Sequence, residues 1–225
     1  MLLIGIVSFV VSMAIQAWLR GTYNKWMRVE NTAGLTGADV ARAILQSNGV
    51  TNVQVEPVKG MLTDHYDPRS RTVRLSEGNF GYANVSGMAV AAHEVGHALQ
   101  HAKGYAPLQV RHALVPVASI GSQFGIYLAI FGIIMGGLQG AGLGSLLFNA
   151  GIVLFAGAVL FHLVTLPVEF DASRRALVEL NKLGLATEAD SGGARKVLTA
   201  AAMTYVAAAA TSIAYLVYFL GLSRD

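Results

Sequence analysis

Two histidines separated by one helical turn, with a glutamate beside the first, are the residues of this chain best suited to chemistry. His93 and His97 lie in 89–101, a proline-free stretch whose pattern predicts a helix. Residues four apart share one face of a helix, so both imidazoles can bind the same metal ion, as in the HExxH pattern of zinc enzymes. Glu94 follows the first histidine, and its carboxylate can accept a proton from water. The pattern predicts a zinc centre, with one Zn²⁺ per chain, that supports hydrolysis.

A catalytic zinc ion usually has a third protein ligand, for which this chain offers several candidates. Residues eight apart on a helix are separated by about 12 Å, so His101 is expected to lie beside the site and not to bind the ion. The remaining candidates lie downstream: His112, His162, Glu169, Asp171 and Glu179. We predict Glu169, because Pro167 can begin a helix and would leave Glu169 in its first turn. A carboxylate is also favourable there without any metal, and His162 remains a rival ligand.

The composition indicates a membrane protein, mainly α-helical. Hydrophobic residues make up 54% of the chain and charged residues only 13%, unlike an ordinary soluble domain. Four stretches have the roughly 20 apolar residues needed to cross a bilayer: approximately 1–19, 114–137, 146–166 and 198–220. The first stretch lacks a basic start and runs into Trp18, Arg20 and Trp26, which favours a retained anchor over a cleaved signal peptide.

The distribution of Lys and Arg predicts the orientation in the membrane. These residues are concentrated in 20–113 and in 167–197, so both segments are expected on the cytoplasmic side. The predicted layout is a transmembrane anchor (1–19), a cytoplasmic α+β region with the zinc helix (20–113), two transmembrane helices (114–166), a cytoplasmic helical segment with the third ligand (167–197) and a final transmembrane helix (198–225). His93, His97 and Glu169 then fall on one side of the bilayer. This topology accounts for the net charge of +3, so we predict no nucleic-acid binding.

Segment 20–113 is long enough for a small folded region. Thr36 is expected to cap a helix over 37–47 that ends at Asn48 and Gly49. Strands are predicted at 52–58, 60–66 and 72–76, most simply as an antiparallel sheet with a turn at 67–70. An extended peptide could pair with a free edge of this sheet. His65, Tyr66 and Tyr82 are candidate donors to the oxyanion, although each is also common as a turn or packing residue.

Several motifs together resemble the YugP-type family of bacterial membrane zinc metallopeptidases. They are Gly34-Leu35-Thr36-Gly37, Leu62-Thr63-Asp64-His65-Tyr66-Asp67-Pro68, Thr72-Val73-Arg74-Leu75-Ser76, the segment 89–101 and Pro167-Val168-Glu169-Phe170-Asp171-Ala172-Ser173. The resemblance implies a zinc endopeptidase of the bacterial inner (cytoplasmic) membrane that acts on polypeptides. It also implies His93 and His97 as ligands and Glu94 as the general base.

A more distant likeness connects the chain to HtpX-type and CAAX-prenyl metalloproteases. In these families the third ligand is a glutamate, which corresponds to Glu169 and implies a gluzincin-like site in a zincin-like region. Ser173 stands where their pattern has an aspartate. A serine cannot supply the charge that strengthens a histidine ligand, so we expect Asp64 or Asp67 to do so.

Two other functions are compatible with the sequence. A membrane adaptor without activity could retain the zinc site as a structural element. A transporter or channel ranks last, because the four apolar stretches carry almost no charged side chains. The absence of cysteine excludes thiolate ligands and disulfides. No oligomeric state is predicted.

Overall fold

The computed structural model describes residues 1–138 and 142–222, and this part of the chain is mainly helical. Helices α1 (Leu2–Met27) and α2 (Gly37–Ser47) come first, followed by strands β1 (Gln54–Val58), β2 (His65–Asp67) and β3 (Thr72–Ser76). The short α3 (Glu77–Phe80) then leads into α4 (Val85–Ala102). The remaining helices are α5 (Ala106–Ile120), a π-helical turn (Gly121–Gly125), α6 (Ile126–Ile134), α7 (Leu143–Lys182) and α8 (Glu188–Leu222).

Four of these helical segments are long and apolar enough to cross a membrane, as predicted. They are Leu2–Met27, Ala106–Ile134, Leu143–Lys182 and Glu188–Leu222. The second comprises α5, the π-helical turn and α6, which follow one another without a break.

The chain forms two compact units. The first contains Met1–Met13, Ala106–Pro167 and the chain from Thr204 onward. One of its buried clusters contains Phe148 and Phe219, and another contains Phe155 and Val159. The second unit contains Ala14–Tyr105 and Val168–Met203. Its core joins side chains of α2, β3, α4 and α7, among them Ile44, Leu75, Val95 and Leu180.

The capped helix in the second unit is confirmed. The Thr36 hydroxyl accepts a hydrogen bond from the Asp39 amide, and the Asp39 carboxylate accepts one from the Thr36 amide, which forms a capping box. The helix ends at Asn48, and Gly49 follows with a φ of +67°. Its buried face, which includes Val40 and Ile44, packs against α4.

The prediction of an antiparallel sheet is half wrong. The strand order is β1-β3-β2, with β1 parallel to β3 and β2 antiparallel to it. The second strand is also shorter than predicted, because it begins at His65 and not at residue 60. The central position belongs to β3, whose Val73 and Leu75 are fully buried. Asp64 holds the chain before β2 against the end of β3, because its carboxylate accepts hydrogen bonds from the Ser76 amide and hydroxyl.

The turn after β2 is confirmed, and Asp67 organises it. One oxygen of the carboxylate accepts a hydrogen bond from the Arg69 amide, and the other accepts one from the Ser70 hydroxyl. These bonds lower the pKa of Asp67 to about 2.

The predicted helix start at Pro167 is wrong. Helix α7 runs through Pro167 without interruption, so Glu169 lies in the interior of a helix of 40 residues. Proline removes one backbone donor, but long apolar helices tolerate it where side chains or neighbouring helices satisfy the freed carbonyl.

Candidate metal centre

A close approach of two helices builds the centre. Helix α4 carries His93, Glu94 and His97, and α7 carries Glu169. The backbones approach closely at Gly96, where an added Cβ would lie 2.5 Å from the carbonyl oxygen of Ala172. Any side chain at residue 96 would therefore push the helices apart beside His97. Glycine at this position lets a carboxylate of one helix reach imidazoles of the other.

The three predicted ligands come together. The Oε2 atom of Glu169 lies 3.3 Å from Nε2 of His93 and 3.6 Å from Nε2 of His97. One ligand atom from each residue lies within 4.8 Å of the others, and Glu169 is only 2% exposed. Bonds of about 2.0–2.2 Å to a tetrahedral zinc ion separate its ligand atoms by about 3.3–3.6 Å. The two distances from Glu169 fit this range, and two imidazoles with one carboxylate are a known ligand set of catalytic zinc.

Gln100 determines which nitrogen of His97 faces the centre. Its Nε2 donates to the carbonyl oxygen of Val168 at 2.8 Å and to Asp171 at 3.0 Å, and both partners can only accept. The other end of the amide, Oε1, therefore faces Nδ1 of His97 at 3.0 Å. Because Oε1 only accepts, Nδ1 must carry a proton. The neutral ring then presents the lone pair of Nε2 toward Glu169.

Asp171 is held from its far side by two arginines. Arg174 and Arg175, one turn further along α7, both donate to its carboxylate. Arg175 also lies over the ring of Tyr105, 5.6 Å from its centroid. A hydrogen-bonded chain therefore runs from the arginines through the buried Asp171 and Gln100 to His97.

His93 has a simpler environment. Its Nδ1 lies 3.1 Å from the hydroxyl of Ser173. The expectation that Asp64 or Asp67 supports a histidine is wrong. Asp64 binds Ser76 and Asn79, and Asp67 binds groups of its own turn and Arg74. Asp64 is therefore bonded to the end of β3 and to α3, and Asp67 to the turn between β2 and β3 and to Arg74.

Glu94 is buried beside the three ligand candidates. Burial raises the pKa of its carboxyl, electrostatic interactions with His93 and His97 oppose this rise, and the negative charge of Glu169 adds to it. Burial alone would lower the pKa of His97, but the hydrogen bond and charge of Glu169 outweigh this effect and raise it. The electrostatics of the centre therefore couple these groups tightly.

Other predicted site residues lie elsewhere. Nδ1 of His101 is hydrogen-bonded to the hydroxyl of Tyr66 at 2.8 Å, and both residues line a separate cavity. Tyr82 is 68% exposed, and His65 bonds to the carbonyl oxygen of Thr63.

The remaining ligand candidates also have other surroundings. Glu179 pairs with Lys182 and accepts a hydrogen bond from Asn48. His162 lines a cavity in the first unit with Val115 and Phe161, and His112 lies on α5. Asp171 reaches the centre only through Gln100.

Gln100 is the functional candidate that sequence reasoning missed. It lies three residues after His97 on the same helix, a spacing that places two side chains on one face. It is fully buried, which is unusual for a glutamine. The spacing is visible in the sequence, but the burial is not.

Comparisons with known proteins agree with this geometry. A family model described as "putative neutral zinc metallopeptidase" matches residues 1–224. The chain is also 46% identical over 202 residues to "Putative membrane protease YugP" of Bacillus subtilis (strain 168), which covers 90% of this chain and 87% of that protein. No solved structure matches the chain. Since the family match includes both helices of the metal centre, the chain belongs to this zinc metallopeptidase family.

Proposed function

We propose that this protein is an integral-membrane zinc endopeptidase that cleaves membrane or membrane-adjacent polypeptides at the cytoplasmic face. The observation that carries the proposal is the convergence of His93, His97 and Glu169 beside the buried carboxylate of Glu94. An adaptor with a structural zinc ion would need the three ligands but would not need a base beside them.

His93, His97 and Glu169 would hold the ion in a gluzincin-like arrangement. When bound, zinc would polarise the scissile carbonyl and acidify the attacking water. The chain's own residues prepare this site in advance. The Gln100 amide keeps the lone pair of His97 Nε2 directed inward, and Ser173 contacts the corresponding outer nitrogen of His93.

Glu94 is the proposed general base. Its carboxylate would accept a proton from water as the water oxygen adds to the carbonyl carbon of the peptide. It would then deliver that proton to the amide nitrogen as the C–N bond breaks, which yields a free carboxyl and a free amine. Burial raises the pKa of Glu94, which makes its carboxylate a stronger base than an exposed one.

The four apolar helices and the basic segments between them support the proposed location. Segments 20–113 and 167–197 would be cytoplasmic and form a zincin-like region, while 1–19, 114–166 and 198–225 would contain the spans. The chain has no cysteine, so a single cysteine can be introduced at exposed Arg69 or in the apolar α6. Each variant is then treated with a thiol reagent on one side or the other of bacterial inner-membrane vesicles. We expect a cysteine at residue 69 to react only with reagent on the cytoplasmic side.

The decisive test of the activity is Glu94→Gln in the full chain. We expect the variant to retain zinc, measured by elemental analysis, and to lose cleavage of a protein substrate such as casein by about 100-fold or more, because the amide cannot accept the proton. Glu77→Gln is the matched control, since Glu77 is an exposed carboxylate at the start of α3. Unchanged cleavage by Glu94→Gln, or a folded wild-type protein that binds no zinc, would refute the proposal.

A further inference from the structure

A cavity of about 290 Å³ lies between α1 and α8 in the second unit, and its lining shares no residue with the metal centre. Two tryptophans and three cationic side chains surround it: Trp18, Trp26, Lys25, Arg195 and Lys196. We propose that this cavity binds the phosphate headgroup of an anionic membrane lipid. The inference is independent of the proposed peptidase activity.

The three positive charges around the cavity favour the binding of an anion. The ammonium groups of Lys25 and Lys196 lie 5.6 and 5.8 Å from the centroid of the same Trp26 ring. Within residues 1–138 and 142–222, neither lysine nor Arg195 forms a salt bridge with a carboxylate. The three like charges repel one another, so a bound anion between them would be stabilised by all three.

The position along both helices matches the headgroup level of a bilayer. Residues 2–19 of α1 contain no charged side chain, and neither do residues 197–222 of α8. The change from apolar to polar sequence therefore occurs at the cavity in both helices. Trp at such a boundary is typical of the interface, where Lys and Arg extend their charged ends toward the headgroups.

The lining also provides a shaped site for a phosphate. Thr22 and Thr199 contribute hydroxyl groups that can donate to phosphate oxygens. The absence of a side chain at Gly193 leaves room for the Trp26 ring, because an added Cβ there would lie 2.7 Å from two ring atoms. Trp18 remains 48% exposed, which leaves an apolar surface for the chain of a lipid. Free phosphate shares the charge but would gain nothing from that surface, so the geometry favours the lipid.

The two tryptophans provide a specific probe, because the chain contains no others. The full-length protein would be placed in phosphatidylcholine vesicles with phosphatidylglycerol as a minor component, brominated on one lipid or the other. Bromine quenches tryptophan fluorescence at short range. We expect brominated phosphatidylglycerol to quench several-fold more than an equal mole fraction of brominated phosphatidylcholine. Equal quenching by the two lipids in the wild-type protein would overturn the proposal.

A charge-matched pair of variants locates the effect. Each juxtamembrane cation contributes about fivefold to the attraction of anionic lipid, so Lys25→Gln with Lys196→Gln should abolish the several-fold preference and make the two brominated lipids quench equally. Lys59→Gln with Lys103→Gln removes the same charge outside the cavity and should keep the preference. Equal losses in both pairs would refute a specific site and indicate general surface charge.

Inorganic phosphate distinguishes the two possible sources of the anion. In detergent without anionic lipid, we expect phosphate at constant ionic strength to change the tryptophan fluorescence weakly and without saturation. A saturable phosphate response together with no lipid preference would overturn the lipid as the ligand.

Discussion

The two histidines of the metal centre have different hydrogen-bond partners at Nδ1, the ring nitrogen that faces away from Glu169. Both present Nε2 to the same oxygen of Glu169, at 3.3 and 3.6 Å. Behind His97 lies a hydrogen-bonded chain of the buried Gln100 and Asp171 that ends at two arginines, whereas a single hydroxyl of Ser173 lies behind His93.

This difference shows that the position of a histidine ligand and the orientation of its ring are determined by different contacts. The helical spacing of four residues places both rings on one face of α4. The hydrogen bonds behind His97 also determine its tautomer, because the amide of Gln100 has only one orientation that satisfies its neighbours. The hydroxyl of Ser173 can donate or accept, so it leaves the tautomer of His93 open. We therefore expect His97 to be the more strongly oriented ligand.

The largest expected effect concerns Glu169, on which both histidines converge. Replacing Glu169 with Gln should weaken zinc binding by more than the roughly 10–100-fold typical of outer groups, because it removes a charged ligand. Competition with a chromogenic chelator measures this affinity. Glu179→Gln, ten residues later on α7, is the control and should bind zinc normally. Normal zinc affinity in Glu169→Gln would show that the third ligand lies elsewhere.

The comparison itself is tested at Gln100. Gln100→Leu removes the acceptor behind His97, so zinc affinity should fall by about 10–100-fold. The exposed Gln46 on α2 offers the same substitution as a control. Circular dichroism checks that both variants remain folded. If Gln100→Leu bound zinc as tightly as the wild type, the hydrogen-bonded chain would have no role in orienting His97.

Ser173 should matter less. Ser173→Ala removes one neutral hydrogen bond, worth about 0.5–1.5 kcal/mol, so zinc affinity should fall by about two- to tenfold. Ser173→Asp would give His93 the charged acceptor that it lacks, and affinity should rise. Both values come from the same chelator titration. A larger loss in Ser173→Ala than in Gln100→Leu would reverse the comparison.

The smallest effect is a change in the pH dependence of zinc binding. Glu169 raises the pKa of His97, and a protonated imidazole cannot bind metal, so affinity should fall as the pH drops through this raised value. The hydrogen bond to Gln100 also favours the protonated ring. In Gln100→Leu the pKa of His97 should therefore move down. Zinc affinity should be lower at every pH, but the midpoint of its rise with pH should lie at a lower pH than in the wild type. A midpoint that moves upward would contradict this account.

Local features of the fold were predictable because neighbouring residues determine them. The capping box of α2, the turn at Asp67 and the helix that carries His93 and His97 each depend on side chains a few residues apart. The four apolar helices follow equally from composition over about 20 residues.

The errors arose where distant segments compete. The sequence offers three short strands but no local signal for which one is central, so the parallel pairing of β1 with β3 escaped prediction. The local preference of Pro167 predicts a helix start, yet α7 continues through this residue.

For the metal centre, the sequence by itself determined the chemistry of the ligands and their spacing on α4, since a helix fixes the relation of residues four apart. Only the tertiary structure decided that Glu169 meets them, and that Gln100 and Asp171 stand behind His97 while Ser173 stands behind His93. These contacts join residues about 70–80 positions apart across the close approach at Gly96. Spacing along one helix cannot specify which face of another helix packs against it, because that choice depends on the whole core.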